Sequence, residues 1–275
     1  MSDDWRGVNL ANWESRVAVH TGPAGYDLAA FDDPDHLSDV VRYDRPRLGR
    51  VEGLDVVHLQ CHLGTDTVSL ARLGARSTAG LDFSPSALNE ARALAARAGA
   101  DVTFVDGDAY DAVRLLGGER FDLVYTGIGA ICWLPSIRRW ADVVAGLLRP
   151  GGRLFMREGH PMLWAMADPR DDGLLVVEYP YFETAGVRFR EETTYAGNDT
   201  VASPEMVCFN HGLGEIFTAL QQAGLSVTAL EEHREVPWNP LGDAVESSPD
   251  HPGEYVLKTG RERLPLTYTL QAVKA

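Results

Sequence analysis

Three acidic residues in the first half of the chain each follow a short apolar stretch, and the last two of them could each hold part of a nucleotide. The first is Asp66, in the polar turn that begins at Gln60. The second is Asp82, and the third is Asp108, which follows Gly107. A carboxylate at Asp82 can accept hydrogen bonds from both hydroxyls of a ribose, and one at Asp108 can accept from an adenine amino group. Together with a close backbone turn, these side chains predict a nucleotide site.

Strands that alternate with helices would bring these side chains to one edge of a sheet. Short apolar stretches suit buried parallel strands, and helical periodicity recurs between them. The predicted strands are Leu54–Cys61, Arg76–Leu81, Val102–Val105, Phe121–Tyr125 and Arg153–Arg157. The predicted helices are Thr65–Leu73, the Ala-rich segment from Ser84-Pro85 to Gly99, and the segment of Ile137, Trp140, Val144 and Leu147. This alternation predicts an α/β, doubly wound sheet, in which ligands bind at the carboxyl ends of the strands.

The remaining segments predict additions to that sheet. Residues 1–50 favour short helices that form a cap. Leu174–Phe182 and Val187–Tyr195 favour an antiparallel hairpin around Ala185-Gly186, within a lid inserted at about residues 161–209. A helix from Leu213 to Gly224 and two final strands complete the expected elements. Those strands are Leu225–Leu230 and Leu264–Val273.

Composition and charge limit the kinds of molecule that this protein is expected to bind. The 40 acidic and 25 basic residues give a net charge of −15, which disfavours nucleic acid and anionic membrane surfaces. The three widely spaced cysteines disfavour a disulfide framework and a structural zinc site, and we expect no metal. The acidic, polar start of the chain does not look like a secretory signal. We therefore expect a cytoplasmic protein, monomeric or homodimeric, that acts on a small molecule.

Five stretches in order resemble class I S-adenosylmethionine-dependent methyltransferases. They are Val57–Thr67, Gly80–Pro85, Asp106–Ala109, Phe121–Tyr125 and Leu147–Leu154, and the likeness covers roughly residues 50–160. The resemblance implies a Rossmann-like, seven-stranded sheet whose last strand is antiparallel. Residues 51–275 would be the methyltransferase domain, S-adenosylmethionine the cofactor and S-adenosylhomocysteine the product.

The first turn departs from the usual pattern of this family. His58, Gln60 and His62 replace an acid and two glycines, and only Gly64 remains. The turn resembles a bacterial, small-molecule subset that carries His-Leu-Gln-Cys-His-x-Gly-x-Asp. A nicotinamide-dependent oxidoreductase stays open as a rival, although a pyrophosphate needs close approach to a glycine-rich backbone. A protein that binds S-adenosylmethionine without transferring its methyl group is a further alternative.

The resemblance assigns cofactor contacts to the strand ends. Gln60, Gly64, Thr65 and Asp66 would lie near the methionyl group, with Gln60 donating to its carboxylate. Asp82 would hold the ribose, and Phe83, next to Ser84, would pack on the adenine. Asp108 and the backbone of Ala109 would read the adenine edge, while Thr126 and Gly127 would face the sulfonium. The expected cofactor-binding residues are Gln60, Gly64, Thr65, Asp66, Asp82, Phe83, Ser84, Asp108, Ala109, Thr126 and Gly127.

Candidate catalytic residues lie where the acceptor should arrive. His160 follows the fifth strand and could remove a proton, and Glu158 could orient it. His211 precedes the last helix and is a second candidate. Each histidine could equally be a loop or capping contact, and Glu158 could simply end its strand in water.

Aromatic residues in the cap and the lid favour a small, flat or aromatic substrate, as in natural-product tailoring. Methylation at an indole carbon, a nitrogen or an oxygen is compatible with this pattern. The candidate substrate-binding residues are Trp13, His20, Tyr26, Trp164, Tyr181, Tyr195 and Trp238.

Overall fold

The computed structural model describes residues 4–182, 185–197 and 199–275. Its α-helices are α1 (Trp5–His20), α2 (Asp39–Leu48), α3 (Thr65–Arg72), α4 (Pro85–Arg97), α5 (Ala112–Leu116), α6 (Ile137–Leu147), α7 (Pro161–Trp164) and α8 (Leu213–Gln222). Its strands are β1 (Asp55–Leu59), β2 (Ser77–Asp82), β3 (Thr103–Asp106), β4 (Phe121–Thr126), β5 (Leu148–Gly159), β6 (Val187–Arg190), β7 (Glu205–Cys208), β8 (Leu225–His233), β9 (Val245–Ser247), β10 (Tyr255–Leu257) and β11 (Thr267–Lys274).

Seven strands form one sheet in the order β3-β2-β1-β4-β5-β11-β8. The first five run parallel, and β11 is antiparallel to both of its neighbours. This confirms the Rossmann-like, doubly wound fold expected from the sequence. The strand order reverses between β1 and β4, so the carboxyl ends of these two strands border the crevice where such sheets bind ligands.

Helices cover both faces of the sheet, which explains why its central strands are apolar on both sides. On one face α5, α6 and α8 pack over a core that includes Trp140, which is fully buried. On the other face α2 and α3 pack on Val56, Tyr125 and Phe155. The predicted start of α4 is confirmed, because Ser84 accepts a hydrogen bond from the Ala87 N–H and Pro85 is the first helical residue.

The lid pairs differently from the prediction. β6 pairs antiparallel with β7 rather than with residues 174–182, where the structure has only an isolated bridge between Val177 and Met166. Pro180 lacks an N–H, which weakens any ladder in that segment, and Leu174 and Phe182 are exposed. Met206 and Val207 of β7 are buried instead. Residues 183 and 184, beside the predicted turn, lie outside the described residues.

The segment between β8 and β11, which the sequence predicts as loop, contains the short hairpin of β9 and β10. Each of these strands has three residues, too few for an alternating pattern to reveal them. The first fifty residues form α1, α2 and a 3₁₀ helix at Leu28–Asp32. Among the residues that the structure describes, no helix combines the length and the apolar character that crossing a membrane requires.

Candidate active site

The carboxyl ends of β1 to β4 bring together the residues predicted to hold a cofactor. Gln60 follows β1, Asp82 ends β2, Asp108 follows β3, and Thr126 ends β4. Gly127 lies next to the first turn: a Cβ atom there would be 3.1 Å from His58 Nε2 and 3.4 Å from Asp66 Oδ2. The backbone after β4 therefore passes close to the turn after β1, and only a small residue fits between them.

The first turn keeps the backbone path that glycines would favour. Gln60 and His62 have φ angles of 57° and 46°, in the left-handed region, and Gly64 has a φ of 75°. A non-glycine residue in this region costs roughly 1–2 kcal/mol. A Cβ on Gly64 would also lie 2.9 Å from the ring of Phe104, so this position leaves no room for a side chain. The sequence departure thus changes the side chains of the turn while retaining its shape.

Asp82 organises this turn and retains capacity for a ligand. Its Oδ2 accepts the His62 N–H at 2.8 Å, and its Oδ1 accepts the Ser84 N–H at 2.9 Å. A carboxylate offers about four lone-pair positions, so positions remain for ribose hydroxyls. Burial raises the pKa of Asp82 to about 6.

Gln60 presents a buried acceptor in addition to the expected donor. Its Nε2 donates to the Ala130 carbonyl at 2.9 Å, while its Oε1 is buried and has no hydrogen-bond partner among the described residues. The Ala130 carbonyl engages one N–H of the amide, and the second N–H remains for the predicted hydrogen bond to a methionyl carboxylate. The buried orphan oxygen also fits the ammonium of a methionyl group, which is a donor.

The residues after β3 are already partly paired. Asp108 Oδ1 accepts the Tyr110 N–H at 2.9 Å, and Oδ2 forms an ion pair with Arg6 Nε at 2.8 Å. Arg6 is more than half exposed, so this pair contributes little and the guanidinium can move. Ala109 is buried beside Asp108. An adenine amino group would share the carboxylate with Arg6 or displace it.

Six rings form what we call the mouth cluster, which lies over the first turn. Its members are Trp13, His20, Tyr26, His62, Trp133 and Tyr195. His20 Nδ1 lies 2.8 Å from His62 Nε2, so one proton is shared between the two imidazoles. Tyr26 and Tyr195 share a hydrogen bond of 2.9 Å. The ring centroid of Trp13 is 4.9 Å from that of His62 and 5.2 Å from that of Trp133.

Electrostatics keep both imidazoles of the mouth cluster neutral. Burial, reinforced by the nearby Arg16 charge, lowers the pKa of His20 to about 3. Burial also lowers the pKa of His62 well below its usual value, with additional effects of His20 and Arg16. Neutral imidazoles can donate and accept hydrogen bonds, and their faces can pack on a planar molecule.

Side chains of α1 hold the cap over the site. Asn9 exchanges two hydrogen bonds with the backbone of Val207 on β7, at 2.9 and 2.8 Å. Glu14 accepts the Ser84 hydroxyl and the Ser86 hydroxyl, each at 2.5 Å, at the start of α4. The helix α1 is thereby bound both to the lid and to the strand end that carries Asp82.

The two histidines predicted to be catalytic are engaged in the protein framework. His160 Nδ1 accepts the Met162 N–H at 3.1 Å, and Nε2 lies 2.9 Å from Glu232 Oε1. His211 lies 2.7 Å from both Glu215 Oε2 and the Leu134 carbonyl. With both ring nitrogens occupied in each case, the geometry favours anchoring roles over proton transfer.

Glu158 has a third arrangement, which differs from both sequence interpretations. It neither orients His160 nor faces water. Its carboxylate is buried and accepts four backbone N–H groups at 2.6–2.9 Å, from Gly129, Ala130, Ile131 and Gly159. Burial raises its pKa, and the four donors oppose that shift. Glu158 therefore shapes the loop after β4, which also carries the Ala130 carbonyl that binds Gln60.

The predicted substrate residues fall into three places. Trp13, His20, Tyr26 and Tyr195 belong to the mouth cluster. Trp164 and Trp238 stack on each other, with centroids 5.5 Å apart, in the separate apolar cluster beneath the C-terminal hairpin. Tyr181 lies at the start of α8, where its hydroxyl accepts the Leu213 N–H at 3.4 Å.

Sequence reasoning missed Arg16, Trp133 and Thr194, which surround the mouth cluster. Trp133 had a usable signal, since it follows the strand end where the sulfonium was expected. Arg16 lies three residues after Trp13, and so on the same side of α1. Thr194 gave no signal, because the residues that it contacts lie far away in the chain. Within the described ranges, no group of three or more His, Cys, Asp or Glu side chains could hold a metal ion.

Comparisons with known proteins agree with this geometry. Residues 57–154 match a family model described as a methyltransferase domain. A search of curated proteins finds no match. An S-adenosylmethionine-dependent methyltransferase from Mesorhizobium loti is 23% identical over 86% of this chain and 98% of its own, with a TM-score of 0.61.

Two further solved structures have the same fold. An S-adenosylmethionine-dependent methyltransferase from Clostridium acetobutylicum is 14% identical over 95% of this chain and 97% of its own, with a TM-score of 0.57. Magnesium protoporphyrin IX methyltransferase from Synechocystis, with bound S-adenosylhomocysteine, is 17% identical over 99% of this chain and 97% of its own, with a TM-score of 0.53. These similarities establish the fold, and the domain match supports methyl transfer.

Proposed function

Because residues 57–154 match a methyltransferase domain within the fold of S-adenosylmethionine-dependent methyltransferases, we propose that this chain is such an enzyme and methylates a small molecule. The observation that carries the proposal is the first turn. Its left-handed path persists without two of its glycines, its His62 N–H donates to the carboxylate of Asp82, and its Gln60 carries the orphan oxygen. A hydroxyl-bearing ribose and a methionyl ammonium are the groups that such acceptors fit.

The chain's own residues would divide the binding between them. Asp82 would accept from the ribose, Gln60 Oε1 from the methionyl ammonium, and the Asp108 segment from the adenine edge. Phe83 would cover the base. The cofactor would supply an activated methyl group, whereas the protein provides orientation and exclusion of water.

The acceptor would bind against the mouth cluster. Its rings suit a flat, apolar or aromatic molecule, and the two tyrosine hydroxyls and the neutral imidazole of His62 offer polar contacts. Burial lowers the pKa values of His20 and His62, so neither would act as a strong base. Both ring nitrogens of His20 are already paired, so His20 would contribute ring packing and would orient His62. In this proposal His160, His211 and Glu158 hold the surrounding backbone in place and do not take part in methyl transfer.

Calorimetric titration with S-adenosylhomocysteine, with NADH as the paired ligand, tests this proposal. We expect S-adenosylhomocysteine alone to bind. A methyl-transfer screen with S-adenosylmethionine over indoles, phenols, amines and carboxylates would then identify the acceptor. Binding of NADH instead would contradict the proposal, and binding of S-adenosylhomocysteine without any accepted substrate would favour a binding protein without transferase activity.

A further inference from the structure

Arg16 is a buried cation whose hydrogen-bond partners among the described residues are all neutral. Its side chain is 3% exposed. Nε donates to Asn12 Oδ1 at 2.7 Å, Nη1 to Thr194 Oγ1 at 3.1 Å, and Nη2 to the sulfur of Met206 at 3.4 Å. A thioether sulfur is a weak hydrogen-bond acceptor, so the N–H groups of Nη2 lack a strong acceptor among these partners.

The charge of Arg16 also lacks a close counter-ion within residues 4–182, 185–197 and 199–275. Its nearest carboxylate, Glu191, is 3.9 Å from Nη2 and half exposed. The comparison within the same protein is Arg157, which is fully buried and binds Glu254 through two hydrogen bonds of 2.9 and 2.6 Å. Because a buried charge is costly unless it is closely paired, an anion nearer than the Glu191 carboxylate would stabilise Arg16.

The position of Arg16 indicates where that anion would come from. Its guanidinium carbon lies 5.2 Å from the ring centroid of Trp13 and 5.6 Å from that of Trp133. Its partner Thr194 also contacts His20 Nε2 at 2.8 Å. Arg16 therefore borders the mouth cluster, where methyl donor and acceptor would meet.

We propose that Arg16 is a carboxylate-binding residue of this site, pairing with the carboxylate of a molecule bound in the mouth cluster. Two molecules could supply that group: the methionyl part of S-adenosylmethionine, or an acidic acceptor. The planar guanidinium fork matches the geometry of a carboxylate in either case. The inference rests on the proposed function, because it needs a ligand at the mouth cluster.

The first arm of the test asks whether the methionyl carboxylate is bound. S-adenosylhomocysteine and its decarboxylated analogue, which keeps the amino group, are titrated into wild type, Arg16→Met and Arg16→Lys. If this carboxylate is the partner, Arg16→Met weakens S-adenosylhomocysteine binding by about ten- to a hundredfold and leaves the analogue unaffected. Arg16→Lys keeps the charge and should lose less.

The second arm asks whether an acceptor carboxylate is bound. Indole-3-carboxylate and its carboxamide are titrated into protein saturated with S-adenosylhomocysteine. If the acceptor is the source, wild type prefers the carboxylate, Arg16→Met loses this preference, and S-adenosylhomocysteine binding is unchanged by the substitution.

A purely structural role for Arg16 predicts different results. The matched control is Asn9→Ala, which loosens the same contact between α1 and the lid without removing a charge. If Arg16→Met weakens S-adenosylhomocysteine and its analogue equally, as a loosened cap would, the proposal is overturned. Unchanged cofactor binding without a carboxylate preference also overturns it. Failure of wild type to bind either adenosyl ligand would refute the proposed function itself, and this inference with it.

Discussion

The carboxylate of Asp82 holds two backbone segments at once and leaves lone pairs for a ligand. Its hydrogen bonds to the N–H groups of His62 and Ser84 help to maintain a turn that contains two strained non-glycine residues. Under the proposed function, the same carboxylate would also accept hydrogen bonds from ribose hydroxyls. A single side chain would thus couple the shape of the turn to the binding of the cofactor.

Asp82→Asn should weaken S-adenosylhomocysteine binding by about 1–3 kcal/mol, because an amide oxygen cannot replace both carboxylate oxygens. Titration calorimetry measures the loss, with Asp106→Asn as the control, since Asp106 is exposed and lies directly opposite on β3. Wild-type affinity should also fall as the pH drops through about 6, where Asp82 takes up a proton. Normal affinity in Asp82→Asn would mean that the ribose assignment is wrong.

His160 caps α7 and contacts Glu232, so its removal should affect folding more than chemistry. We expect His160→Ala to lower the free energy of unfolding by about 1 kcal/mol, as for other lost N-caps, and to leave turnover per folded molecule nearly unchanged. Denaturant unfolding measures the stability of His160→Ala, and steady-state kinetics measures its turnover. A folded His160→Ala protein without activity would restore His160 as a catalytic candidate.

His20→Ala breaks a hydrogen bond inside the mouth cluster and should lower kcat/KM by about tenfold, which steady-state kinetics measures.

At the scale of elements, the loop after β4 depends on a side chain from β5. Glu158 accepts N–H groups from three consecutive loop residues, and the Ala130 carbonyl of that loop positions Gln60. The helix α1 is similarly held by polar side chains, because Asn9 completes the edge of β7 and Glu14 binds the start of α4. These contacts arrange the elements around the site without contributing directly to chemistry.

Glu158→Gln should lower the free energy of unfolding by roughly 2–4 kcal/mol, because an amide NH₂ faces N–H donors that then lose their acceptor. It should also weaken S-adenosylhomocysteine binding, since Gln60 loses its support. Chemical denaturation and titration measure the two effects. The control is Glu231→Gln, whose carboxylate is half exposed and paired with Arg47, and which should change neither value appreciably. Equal behaviour of the two variants would remove Glu158 from the architecture of the site.

Across the whole molecule, buried polar groups tie the cap, the sheet and the C-terminal segment together. Tyr125 on β4 donates to Asp44 on α2 at 2.6 Å. Arg157 on β5 binds Glu254 and lies 3.7 Å from the ring of Tyr43 on α2. The second oxygen of Asp44 is buried without a partner among the described residues. This network is buried away from water, so keeping its side chains charged costs free energy.

Asp44 should make stability depend on pH. Burial raises its pKa from 3.8 to about 7 in the folded protein. Between those values the folded state holds a proton that the unfolded chain has released, so this group makes the free energy of unfolding fall as the pH rises from about 4 to about 7. The slope reaches at most about 1.4 kcal/mol per pH unit.

Asp44→Asn removes this proton uptake, so the variant should gain stability relative to wild type as the pH rises across that window. Denaturant unfolding at pH values from 4 to 8 would show the difference, and effects of the buried histidines cancel because both proteins contain them. Asp39→Asn, an exposed position on the same helix, is the control. A constant difference between Asp44→Asn and wild type would show that Asp44 does not titrate in this range.

Local sequence determined most of the scaffold. The apolar strands, the Ser84 cap, the helix endings and the acids at successive strand ends all follow from patterns within a few residues, and short-range periodicity is set by backbone geometry. The seven strands and the antiparallel last strand followed from the family resemblance. The position of the first turn could also be predicted, although nothing local showed that Gln60 and His62 would adopt a left-handed backbone.

Only the tertiary structure decided which side chains meet. His20 and Thr194 are 174 positions apart, and Asn9 and Val207 are 198 apart. No periodic pattern in the sequence predicts such long-range hydrogen bonds, because they depend on how separate elements pack on one sheet. For the same reason β6 paired with β7 instead of its nearer neighbour, and the predicted catalytic histidines proved to have framework partners. That the buried charge of Arg16 has only a distant carboxylate among the described residues, at 3.9 Å, could be recognised only from the folded structure.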